Sequence, residues 1–102
     1  MASGTIAKSF SYTEFEIQTF QIASAATFAA LGYLEYSSSV EKAGFYPLGI
    51  VGYRSQKEGI IPSSVNIQNR AVGSCTLQFR WDNTTESDQT SNLYAMILWV
   101  KA

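Results

Sequence analysis

The segment Ser74–Asp82 constrains the fold of this chain more than any other, because its apolar and polar residues alternate strictly. Thr, Gln, Arg and Asp occupy one phase, and such a two-residue period is typical of a β-strand with one buried face. We therefore expect the apolar phase to lie in a hydrophobic core. The residues of that phase are Cys75, Leu77, Phe79 and Trp81.

A second apolar segment, Leu93–Val100, follows the wholly polar stretch Asn83–Asn92. Leu93–Val100 is apolar on both phases, which is typical of a strand covered on both sides. The polar stretch exceeds the roughly two to five residues of a tight hairpin loop. It is interpreted either as a solvated connection between strands or as an exposed binding loop at one end of the fold.

These segments predict an all-β protein, an antiparallel β-sandwich or jelly roll that forms a single domain over residues 1–102. Further strands are expected at Thr5–Tyr12, Glu14–Ile22, Leu48–Tyr53 and Val65–Ile67. Surface turns are expected at Ser37–Ser39, Gln56–Pro62 and Gly73.

Two of the expected strands contain irregular features. In Glu14–Ile22 the apolar phase changes at Thr19–Phe20, which indicates either a β-bulge or two short strands that meet there. Pro47 precedes the paired part of its strand, because proline cannot donate a hydrogen bond to a neighbouring strand.

The alanine-rich stretch Ala23–Tyr36 is compatible with two structures. Its closely spaced alanines favour a short helix over Ala23–Leu31. The alternation over Phe28–Tyr36 instead favours a loop through Ala26 followed by a strand, and Gly32 weakens a helix. We favour the loop and strand and keep the short helix as the alternative.

Charge and composition exclude several classes of partner. Only 15% of the residues are charged, against about 25% in ordinary soluble domains. Seven basic and eight acidic residues give a net charge of −1, without the basic patch that nucleic-acid binding requires. The same lack argues against polybasic docking on membranes, and no apolar run reaches the ~20 residues of a spanning helix. Neutral glycans and other proteins remain as partners.

The residue types argue against an enzyme. The chain has no histidine and a single cysteine, so a metal site and the usual general base are not expected. It also lacks a nucleophile elbow and a phosphate-binding loop. No spacing of its carboxylates selects a catalytic pair. We therefore expect no enzymatic activity, no catalytic residues, no metal and no cofactor.

Tyrosines and polar loop residues are the candidates for ligand binding. A half-exposed tyrosine can stack on a sugar through its ring and form a hydrogen bond through its hydroxyl. Packing at the edge of the core is the competing interpretation for each of these rings. The candidates are Tyr33, Tyr36, Tyr46 and Tyr53, with Asn83, Glu86, Asp88 and Asn92 of the polar stretch.

The segment Lys42–Tyr53, with its spaced glycines, proline and aromatic residues, resembles small carboxyl-terminal β-domains of phage and prophage proteins. Those proteins are tail-fibre, baseplate and other virion structural proteins. The similarity continues through Val65–Asn69, the alternating strand, the polar stretch and a last strand that ends at Lys101. It covers about the last 60 residues of the chain.

The resemblance implies a non-enzymatic module of a virion that serves in assembly or in attachment to the host surface. The implied partners are copies of the chain itself, with a trimer favoured, other virion proteins and cell-surface glycans. The implied location is the phage particle, after synthesis in the bacterial cytoplasm, and the amino terminus shows no signal-peptide pattern. A carbohydrate-binding module that uses the exposed tyrosines and Asn83–Asn92 is the alternative function.

Overall fold

The computed structural model describes residues 14–102, and these residues form two three-stranded antiparallel β-sheets packed against each other. The strands are β1 (Phe15–Phe28), β2 (Tyr33–Glu41), β3 (Phe45–Ser55), β4 (Ile60–Ala71), β5 (Ser74–Asn83) and β6 (Gln89–Lys101). Sheet A has the strand order β1-β6-β3, and sheet B has the order β2-β5-β4. The expected all-β sandwich is confirmed. The expected strand Thr5–Tyr12 lies outside the described residues.

The core lies between the two central strands, β5 and β6. It confirms the core residues expected from the alternating segment, since each of them is at most 3% exposed; they are Cys75, Leu77, Phe79 and Trp81. Opposite them, alternate residues of β6 are fully buried, namely Leu93, Ala95, Ile97 and Trp99. Burial raises the pKa of the Cys75 thiol, as expected for a small apolar core residue.

The second phase of β6 is only partly covered, contrary to the expectation of a strand covered on both sides. Tyr94, Met96 and Leu98 lie on the outer face of sheet A and are half-buried, while Val100 at the end of the same phase is buried. Apolar residues on this phase therefore mark an apolar outer face and not a second layer of core.

The alanine-rich stretch does not form the alternative helix, and the expected loop and strand are also displaced. Ala23–Phe28 is the end of β1, and the turn to β2 occupies 29–32. Two register irregularities interrupt the pairing of this part of β1 with β6, and Ala25 has a φ of 52°. Because the irregularities break the two-residue period, the local sequence does not show the strand that sheet pairing imposes.

The bulge expected at Thr19–Phe20 lies further along β1. Pairing with β6 runs without a shift from Phe15 to Gln21, and the irregularities follow Gln21. The phase change in the sequence arises because Ile17 is on the outer face, 65% exposed, while Phe20 packs against the core. Apolar residues on both faces of one regular strand thus resemble a bulge in sequence.

The middle strands are longer than expected. Ser37–Ser39 lies inside β2 and is not a turn, and Val65–Ile67 is the middle of β4. Pro47 lies within β3 and not before it. Proline is compatible with this position because β3 is an edge strand and a register shift directly follows Pro47.

Candidate functional site

Three connections meet at one end of the sandwich, which we call the loop end. They are residues 29–32 between β1 and β2, 56–59 between β3 and β4, and 84–88 between β5 and β6. Backbone hydrogen bonds join them: Leu31 N–H donates to the Thr85 carbonyl at 2.9 Å, and Thr84 N–H donates to the Gly59 carbonyl at 2.8 Å. The polar connection between β5 and β6 is thereby fixed to both of its neighbours.

Asn83 organises the loop end from inside. Its side-chain amide donates to the carbonyls of Ala29 and Ser87 at 3.0 and 2.9 Å. Its side-chain oxygen accepts from the Thr85 backbone N–H at 3.0 Å and from the Thr85 hydroxyl at 2.7 Å. The residue is 2% exposed, and these bonds use its full hydrogen-bonding capacity. Asn83 therefore has a structural position and is not available to an external ligand.

Two other polar candidates also hold the backbone of β1 and its turn. Asp88 Oδ1 accepts from the Ala30 N–H at 3.0 Å. Asn92 Oδ1 accepts from the N–H of Ala25, the residue with positive φ, at 2.8 Å. Glu86 is exposed, and it is the one loop candidate whose side chain makes no hydrogen bond or ion pair within residues 14–102.

The four candidate tyrosines lie on different surfaces. Tyr33 is 52% exposed on the outer face of sheet B, with the Arg80 guanidinium carbon 3.8 Å from its ring centroid. Tyr36 packs against the core, and burial raises the pKa of its hydroxyl. Tyr53 of β3 contacts Trp81 of β5 edge to face, and Tyr46 is half-buried in β3. The structure does not bring these rings together into one site.

A surface without charged side chains, which we call the apolar face, forms the centre of the outer side of sheet A, and Arg54 borders it with its guanidinium over the Tyr94 ring. Two successive cross-strand rows form its centre, Ile17–Leu98–Gly49 and Thr19–Met96–Gly52. Leu48 and Val51 are the extra residues at the two bulges of β3, 41% and 54% exposed. A Cβ placed on Gly49 would meet no atom within 4 Å, so the centre of this face is open and flat.

The outer face of sheet B is polar and contains a shallow groove of about 340 Å³. Its walls and floor come from all three strands of the sheet. The residues that line it are Glu35, Tyr36, Ser37, Ser64, Asn66, Gln78, Phe79 and Arg80. No sequence pattern predicts this groove, because strand register alone brings its residues together.

An ion pair closes one end of the groove. Arg80 Nε donates to Asp82 Oδ1 at 3.1 Å. A hydrogen bond from Ser63 and the pairing with Arg80 hold the pKa of Asp82 below its usual range, against a smaller opposing effect of burial. Arg80 is thereby held between this carboxylate and the ring of Tyr33.

The described residues 14–102 contain no group of three or more His, Cys, Asp or Glu side chains that could hold a metal ion. Over the same range there is no helix long and apolar enough to cross a membrane.

Comparison of the chain with protein-family models, curated proteins and solved structures gave no match.

Proposed function

We propose that this protein is a non-enzymatic structural module of the phage-virion type, which assembles with copies of itself and with other virion proteins. The apolar face of sheet A is the observation that carries the proposal. The class of particle comes from the resemblance of the sequence to tail-fibre and baseplate domains. Attachment to a host surface is the role that such a module would serve.

The apolar face has the character of a protein interface. Ile17 exposes 65% of its surface and Leu48 exposes 41%, next to the half-buried Leu98 and Met96. Contiguous apolar surface of this kind is unfavourable on a free domain and commonly marks a contact with another protein. Depletion of charge at the centre of the patch is the compositional sign of an interface core.

A second copy of the chain suits this face better than a charged partner. The two central rows contain no charged side chain, so two or three copies can meet there without burying an unpaired charge. Gly49 keeps β3 low at the centre of the face, which lets a partner approach the backbone closely, whereas the Met96 side chain covers Gly52. A closed assembly, with a trimer favoured, would bury the face on every copy.

The test is the oligomeric state of the wild type and of two matched variants. We expect light scattering and sedimentation to show a stable oligomer for the wild type. Ile17→Lys places a charge in the apolar face and should yield a monomer with an unchanged circular-dichroism spectrum. Val72→Lys is the control, because Val72 is 62% exposed in the turn between β4 and β5, away from this face.

A wild-type protein that stays monomeric at every concentration would overturn the assembly proposal, as would an oligomer that Ile17→Lys leaves intact. Leu48→Lys provides a second variant at a bulge of an edge strand, where substitution disturbs pairing least.

The virion assignment has its own test. The gene is expected among tail and lysis genes, and a location within a cellular metabolic operon would contradict it.

A further inference from the structure

The groove on sheet B has the geometry of a ligand site. Two cross-strand rows form it, Glu35–Arg80–Ser64 and Ser37–Gln78–Asn66. Each row contains one short serine, Ser64 beside Arg80 and Ser37 beside Gln78, and the face is recessed at these two positions. The volume of about 340 Å³ falls at the lower end of the roughly 300–1,000 Å³ of ligand pockets.

The groove presents polar groups that have no partner in the fold. The side chains of Glu35, Ser37, Ser64, Asn66 and Gln78 make no hydrogen bond or ion pair within residues 14–102. Together they offer hydroxyl, amide and carboxylate groups, which include both donors and acceptors. The loop end differs, because its polar side chains are used to hold the backbone.

An aromatic ring lies next to these polar groups. Arg80 lines the groove and also lies over the ring of Tyr33, 3.8 Å from its centroid. The contact fixes the ring at the end of the groove, and about half of Tyr33 stays exposed. A fixed aromatic ring beside free hydroxyl and amide groups matches the two surfaces of a sugar, its apolar ring face and its hydroxyls.

The charges of the groove select against anionic ligands. Arg80 is neutralised by Asp82 through the 3.1 Å ion pair, and Glu35 on the neighbouring strand adds a further negative charge. An acidic sugar or a phosphate would therefore be repelled. A peptide strand is also a poor fit, because the backbone groups of the central strand are already paired on both sides.

We propose that this groove on the outer face of sheet B binds a neutral oligosaccharide. Asn66, Gln78 and Ser37 hydrogen-bond to sugar hydroxyls, and Tyr33 stacks on a sugar ring at the end of the groove. The site differs from the loop and tyrosine site that the sequence suggested, since it retains only Tyr33 of those candidates. It faces away from the apolar face, so assembly and glycan binding do not compete.

The experiment is an NMR titration of the isotope-labelled full chain with defined sugars. The probes are the neutral trisaccharides maltotriose, cellotriose and triacetylchitotriose, with sialyllactose as the acidic comparison. We expect at least one neutral probe to shift the amide signals of the groove rows on β2, β4 and β5. Sialyllactose should bind more weakly than that probe.

Two double variants locate the site. Asn66→Ala with Gln78→Ala removes both side-chain amides of the groove and should weaken binding roughly tenfold or more. Ser39→Ala with Gln68→Ala is the matched control, because these residues belong to the next cross-strand row, outside the groove. Its affinity should equal that of the wild type.

The proposal is overturned if none of the three neutral probes shifts the groove amides, or if the shifts map to the loop end or the apolar face. Equal loss of binding in both double variants would also contradict it, as would a preference for sialyllactose. The titration is informative whatever the oligomeric state. Its failure is thus distinguishable from failure of the assembly proposal.

Discussion

Asn83 shows how much a single buried residue can contribute to the order of this molecule. One side chain connects the end of β5 to the turn after β1 and to the connection before β6, through the hydrogen bonds of its amide and its oxygen. Sequence patterns place an asparagine in a polar stretch on the surface. They do not reveal that this one is buried and fully bonded, because its partners come from another part of the chain.

We expect Asn83→Ala to lower the free energy of unfolding by about 2–4 kcal/mol, since it leaves several buried backbone groups without a partner. Urea denaturation followed by tryptophan fluorescence measures the change. Glu86→Ala in the same connection is the control and should stay within about 0.5 kcal/mol of the wild type, because its side chain is exposed. A similar effect of the two variants would show that Asn83 does not hold the loop end.

At the scale of elements, the connection between β3 and β4 depends on a glycine. A Cβ at Gly59 would overlap the methyl group of Thr85 in the neighbouring connection. The two segments therefore approach so closely that only glycine fits. The restriction comes from lack of space and not from the backbone conformation of Gly59. The same approach permits the hydrogen bond from Thr84 N–H to the Gly59 carbonyl.

Gly59→Ala should cost about 1–3 kcal/mol of stability through this overlap. Thr85→Ser removes the methyl group and keeps the hydroxyl that bonds Asn83, so the double variant should recover most of the loss. Thermal unfolding of the four proteins completes the cycle. Gly49→Ala is the control, with an expected effect between zero and a gain of about 1 kcal/mol, because its Cβ meets no neighbour. Additive effects of the two substitutions would refute the overlap.

The strands that sequence analysis located well are those in which burial follows a single phase. The alternation of Ser74–Asp82 defined β5 and its core residues, because one face of that strand is buried throughout. The sequence predicts β1 less well because its outward residues include Ile17, and its last part pairs irregularly with β6. The groove and the apolar face could not be predicted, since both depend on which strands are neighbours and in what register.

At the scale of the whole molecule, the two outer surfaces have opposite chemistry. The outer side of sheet A is uncharged and apolar at its centre, whereas the outer side of sheet B is polar and recessed. The same core supports both, since β5 and β6 each direct one phase inward and the other outward. A module built in this way can bury one side in an assembly and present the other to a ligand.

The strand order predicts slow folding. β1 pairs with β6 and β2 with β5, so most pairings join distant parts of the chain. Proteins dominated by such pairings fold in about milliseconds to seconds. Stopped-flow refolding can follow this through Trp81 and Trp99, which are buried in opposite sheets. Folding within microseconds would contradict the prediction.

The burial of Asn83 has a consequence for the choice of expression host. Asn83-Thr84-Thr85 matches the acceptor sequence for N-linked glycosylation. In the folded protein its amide nitrogen donates to two backbone carbonyls and is not accessible. The enzyme that attaches the glycan acts on chains entering the secretory pathway, before folding buries this side chain. A eukaryotic secretion system would therefore modify the residue that holds the loop end together, whereas synthesis in a bacterial cytoplasm leaves it free to fold.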